Sequence, residues 1–82
     1  MITIVFVKNP FEPDKDRSIK QVECSGEVLE SYIAEYRTLL PDQELHIQVD
    51  GTIVKHPDQW LVMDGAFITV HPVVGKGGKS IL

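Results

Sequence analysis

Helical periodicity occurs in one stretch of this chain only. Between Ser25 and Pro41 the apolar residues Val28, Leu29, Tyr32, Ile33, Tyr36, Leu39 and Leu40 recur at spacings of one, three and four, which lays an apolar stripe along one side of a helix. Ser25 stands as the N-cap, Glu27 and Glu30 fall in the first turns where the helix dipole favours negative charge, and Pro41 stops the run. The spacing therefore predicts a helix over 26–40. A single amphipathic helix cannot bury its own stripe, so the remainder of the chain must supply a sheet for it to lie on.

That remainder reads with the period of strands. Ile2 to Val7 (ITIVFV) is dense in β-branched and aromatic residues, apolar on both faces, and closed by Lys8, Asn9 and Pro10, as expected of a strand in the middle of a sheet. Ile2, Ile4 and Phe6 are assigned to the core side, and Val5 and Val7 to the other, because Thr3 weakens that second set. Residues 8–17 hold two prolines and a run of charges and read as a long connection. Ser18 to Cys24 returns to a strand pattern, with Ile19 and Val22 of different parity, which predicts an edge strand carrying a bulge. Glu44 to Val49 alternates cleanly, Asp50-Gly51 is a type I′ turn signal, and Thr52 to Val54 supplies a short partner strand. Trp60, Leu61 and Met63 are expected to cap one end of the core. After the Asp64-Gly65 turn, Ala66 to Pro72 forms the last strand, with Ile68 and Val70 inward and Phe67, Thr69 and His71 outward.

Two strands, a helix, then a strand, a short strand and a final strand make a two-layer α+β domain with the first and last strands parallel at the centre. That is the β-grasp (ubiquitin-like) arrangement, a mixed four- to five-stranded sheet with one helix packed on one face. Residues 1–74 are assigned to this domain and 75–82 to a flexible Gly/Lys-rich tail or linker. With 82 residues there is room for one domain, burying about 60–65% of its unfolded surface, which argues against a large enzymatic cleft. Eight basic against twelve acidic residues, a formal charge of -4, argue against nucleic acid as a partner. Cys24 is the single cysteine, so folding requires no intrachain disulfide and no oxidising compartment. No apolar run approaches the ~20 residues of a bilayer span, and no membrane contact is expected from this segment. The apolar run from Met1 to Val7 has neither a basic leader nor a small-residue cleavage site, which points to a cytoplasmic site of synthesis.

Two resemblances are carried by particular residues. The segment from Asp64 to Gly78, a DG turn, a final strand, Pro72 and then Gly77-Gly78, resembles the C-terminus of the small sulfur carriers of the MoaD and ThiS type, as does the hairpin at Val49 to Gly51. A closer resemblance is to the ubiquitin-like N-terminal region of tailed-phage tail proteins, of the tail assembly protein I and tail-tip or host-specificity kinds. It rests on the opening MITIVFVKNPFEP, the DGAxIxVxP run from Asp64 to Pro72, and the Gly-Lys-Gly-Gly-Lys stretch leading to Ile81 and Leu82. In such proteins that stretch continues into an apolar segment and further domains, so the resemblance implies a domain cut from a longer protein. It also implies a non-catalytic role, other tail proteins as partners, and a place in the bacterial cytoplasm during assembly and in the virion tail afterwards. The carrier resemblance implies a thiocarboxylate formed on Gly78 by an adenylating enzyme. Lys79 to Leu82 follow that glycine, so a protease would first have to expose it, and a linker is the simpler reading.

No residue pattern demands chemistry. Gly78-Lys79-Ser80 resembles the end of a phosphate-binding loop, but Val73 stands where the first glycine is required and only Ile81 and Leu82 remain for the helix that such a loop opens. His46 and His71 fall on outward parities of neighbouring strands, without a Cys or carboxylate at ligand spacing, and read as solvated histidines of a sheet face. Cys24 lacks a base to activate it and reads as a packed thiol. Neither a cofactor nor a metal is expected. The candidates for partner binding are Val5, Val7, Phe67, Thr69 and His71 on the sheet face away from the helix, and Phe11, held between Pro10 and Pro13; the alternatives are that neighbouring side chains partly cover Val5 and Val7 and that Phe11 folds back onto its own sheet edge.

Overall fold

The computed structural model describes residues 1–8 and 17–73. β1 (Ile2–Val7), β2 (Arg17–Val22), α1 (Leu29–Leu39), β3 (Leu45–Val49), β4 (Thr52–Ile53) and β5 (Phe67–Pro72) follow one another, with one 3₁₀ turn at Pro57–Gln59. The five strands form one mixed sheet in the order β2-β1-β5-β3-β4. β1 and β5 run parallel, pairing Ile4 with Ile68 and Phe6 with Val70, and the other neighbours are antiparallel. This is the α+β, β-grasp order expected from the chain.

Alternation decides which residues meet. Ile2, Ile4 and Phe6 of β1, Leu45, Ile47 and Val49 of β3, and Ile68 and Val70 of β5 share one face and one core cluster with Leu29, Ile33 and Tyr36 of α1. The Phe6 and Tyr36 rings stack with centroids 4.6 Å apart, and Lys20 of β2 reaches Glu35 of α1 at 2.5 Å. Apart from Tyr36, no residue with a polar or charged side chain is buried among those described. Burial raises the phenol of Tyr36 above its ordinary value, although the charge of Lys20 nearby pulls it down.

The Asp50-Gly51 turn has the expected form, with φ of 51° and 86° at its two residues, the paired positive values that a type I′ turn requires. Val54 then donates to the Ile47 carbonyl at 2.9 Å.

Four local expectations are corrected. The helix begins at Leu29, with Val28 as N-cap and no side-chain cap bond, because the backbone before it pairs with the segment leading to β5. Val28 bridges Leu61, Leu29 donates to the Trp60 carbonyl at 2.7 Å, and Val62 donates to Glu27 at 3.3 Å. Ser25 bonds the Tyr32 hydroxyl and the Glu27 carboxylate instead of the helix start. Leu39 is 63% exposed, since the inward positions step through Leu29, Ile33 and Tyr36 to the partly buried Leu40. β2 has no bulge: six successive residues pair with β1 in register, so Ile19 and Val22 simply face opposite sides. Finally, Val62 is buried while Leu61 and Met63 are exposed, because this segment is extended and turns Trp60 and Val62 inward together.

The N-terminus is tied to the turn that precedes β5. Gly65 donates to the Met1 carbonyl at 3.1 Å, and the Met1 amine forms an ion pair with the Asp64 carboxylate. That bond, and then the amine's charge, hold Asp64 below its ordinary value of 3.8, and the same bond raises the amine above 8.0. The carboxylate's contribution is present above 3.8 and is lost as pH falls through its lower folded value. The amine's is present below 8.0 and is lost as pH rises through its raised one. Acetylating Met1 should return the Asp64 midpoint to its ordinary value in an NMR titration, and an unchanged midpoint would show that the pair does not form.

Candidate functional site

The registers that build the core also build the opposite face. Val5 lies between Ile19 and Thr69, Thr69 pairs with Gln48, and Gln48 with Ile53, so one row crosses the whole sheet from β2 to β4. A second row holds Gln21, Thr3 and Phe67, and beyond the first row His46 pairs with His71. α1 packs on the other side, and neither Val5 nor Val7 belongs to the core cluster.

The residues on this face are not equally available. Val5 and Val7 are 8% exposed each and offer little contact area. Thr69 and His71 are half-buried. Phe67 is 50% exposed, and Ile19 and Ile53, on the two edge strands, are 60% and 54% exposed. Asp50 pins Phe67 by both groups: its amide donates to the Phe67 carbonyl at 2.8 Å, and its carboxylate accepts from the Phe67 amide at 3.0 Å. The aromatic ring thus projects from a backbone fixed at both polar atoms. Phe11, Gly77 and Gly78 lie outside the described residues.

Sequence reasoning found the β5 members of this face from their alternation and missed Ile19 and Ile53. The parity of Ile19 against Val22 was the available signal for the first. The pairing across the Asp50-Gly51 turn, which sets Ile53 opposite Gln48, was the signal for the second.

Elsewhere the surface offers less. An open groove of about 640 Å³ runs along β3 and is lined by Arg37, Leu45, Ile47, Val54, Lys55 and Pro57 among others. Cys24 donates to the Val62 carbonyl at 3.6 Å and packs against the core, the setting of a structural thiol. Among the described residues no three His, Cys, Asp or Glu side chains cluster as a metal would require, and no helix is long and apolar enough to cross a membrane.

No protein-family model, curated protein or solved structure matches the chain. Fold and surface together define a β-grasp domain whose sheet carries the helix on one face, while no helix or strand among the described residues covers the other.

Proposed function

We propose that this chain is a non-catalytic interaction domain of a tailed-phage tail protein, of the tail-tip or tail-assembly kind, and that it docks on other tail proteins through the open face of its sheet. The observation that carries the docking is the exposure of Phe67, Ile19 and Ile53 on one face of a rigid sheet. Burying such side chains contributes roughly 25 cal/mol per Å² of apolar area, and an aromatic group on a fixed backbone loses little entropy on binding. The assignment to a phage tail rests on the resemblance carried by the opening strand and the Asp64 to Pro72 run. On that assignment the protein works in the bacterial cytoplasm during assembly and in the virion tail afterwards.

The test uses the ¹⁵N-labelled chain and recombinant tail-tip and tail-assembly proteins of a phage whose tail protein opens with this sequence. Docking as proposed shifts the amides of Ile19, Thr69, Gln48, Ile53 and Phe67. Shifts confined to α1, or none with any tail protein, would overturn it. So would a mass change in a chain ending at Gly78 after incubation with a carrier-adenylating enzyme, ATP and a sulfur donor, which marks a sulfur carrier.

A further inference from the structure

We propose that β2 is a self-pairing edge, through which two copies of this chain join their sheets side by side. β2 is the last strand at its end of the sheet, and all six of its residues pair with β1. The bonds of β1 decide which polar groups of β2 are spent. The Thr3 amide donates to the Ala66 carbonyl at 3.0 Å, and the Met1 carbonyl accepts from Gly65 at 3.1 Å. Odd-numbered residues of β1 therefore turn their backbone groups towards β5, and Ile2, Ile4 and Phe6 turn theirs towards β2. Their partners Val22, Lys20 and Ser18 are satisfied by that ladder. Arg17, Ile19 and Gln21 turn N–H and C=O outwards, with no backbone partner among the described residues. The opposite edge is much shorter, since β4 has two residues.

Such an edge is ordinarily guarded by a proline, a bulge or an outward lysine. β2 has no proline and no bulge. Its lysine is turned to the helix side, where the Lys20 ammonium meets Glu35 at 2.5 Å and lies 5.9 Å from the centre of the Tyr36 ring. The rim that remains carries Ile19, 60% exposed.

The residues of the strand select a second copy as its occupant. An antiparallel pairing about Ile19 sets Ile19 against Ile19 of the second copy, Arg17 against Gln21 and Ser18 against Lys20. In this register free backbone groups meet free ones, whereas a slip of one residue would set them against spent ones. No like charges face each other. Arg17 also stands diagonally across from Glu23 of the second copy, within reach of long side chains on one face, and the two-fold axis forms that ion pair twice. The register two residues further on would set Lys20 against Lys20. Because the side-chain alternation continues across the join, both helices lie on one side and both Phe67 rings on the other. A partner that docks on the open face would then meet two anchors on one surface.

Sedimentation equilibrium of the 82-residue chain from micromolar to millimolar concentration should show a monomer-dimer equilibrium. In a mixture of differently labelled copies, the Cα protons of Ser18 and Lys20 should show a contact between chains, since non-hydrogen-bonded pairs bring Cα atoms to about 4.5 Å. Ile19→Pro removes an outward donor only, and so should leave the Ile4 and Lys20 amides bonded. By symmetry it deletes two bonds between copies, and association should weaken at least ~10-fold. Arg17→Glu should weaken association about 3-fold or more, and adding Glu23→Arg should restore it. Phe67→Ser should associate as the parent does. A chain that stays monomeric at millimolar concentration, a dimer that survives Ile19→Pro, or one that is lost with Phe67→Ser overturns the pairing.

Discussion

Ile33→Ala should lower the stability of the domain by about 2–5 kcal/mol, whereas Leu39→Ala should cost less than about 0.5 kcal/mol. The sequence pattern places both residues on one helical stripe; the structure separates them, with Ile33 fully buried and Leu39 63% exposed. Ile33 sits in the cluster that holds Ile4, Ile47 and Ile68, so removing its branched side chain leaves a cavity that flanking strands cannot close without giving up their register. A domain of 82 residues has a total stability of roughly 4–12 kcal/mol, so the loss removes a large part of the whole. Urea unfolding of the two variants measures the difference. Equal midpoints would show that the helix is rotated from the phase described.

Phe67→Ser should weaken binding to the tail-protein partner about 30-fold or more, the effect of losing an aromatic anchor of at least ~2 kcal/mol. It should cost about 1–2 kcal/mol of stability, because the buried half of the ring is lost, while its backbone bonds to Asp50 survive the change and the variant stays folded. Ile19→Ser and Ile53→Ser should weaken binding less, as edge positions at the rim of a contact. The comparison that matters is Leu39→Ser, an exposed apolar residue on the helix side. Titration calorimetry with the four variants separates the two faces. An unchanged affinity for Phe67→Ser together with a loss for Leu39→Ser would place docking on the helix.

What could be read from the chain was whatever a local signal decides. The alternation of Glu44 to Val49, the Asp50-Gly51 turn and the apolar strand at Ile2 to Val7 each specify their own geometry, and the β-grasp order follows from their sequence around one helix. The helix start was not legible. Ser25 has the chemistry of an N-cap, but the Leu29 amide finds its partner in the Trp60 carbonyl, and no local pattern announces a bond to so distant a residue. Val62 was hidden for a related reason: in a short apolar run from Trp60 to Met63 the inward phase is decided by the bridge to Val28. On the open face, Phe67, Thr69 and His71 followed from alternation within β5. Ile19 and Ile53 required the registers of β2 and β4, and the ring stacking of His46 on His71 required that of β3 against β5.

Nuclear Overhauser contacts of the Ile33 methyl groups test the layered arrangement most directly. Contacts to both Ile4 and Ile68, together with interstrand contacts that pair Ile4 with Ile68 and Phe6 with Val70 in parallel, are the predicted result. Contacts from Ile33 to Val5 or Phe67 would contradict it by putting the helix on the face assigned to docking, and an antiparallel pairing of β1 with β5 would contradict it by breaking the β-grasp order.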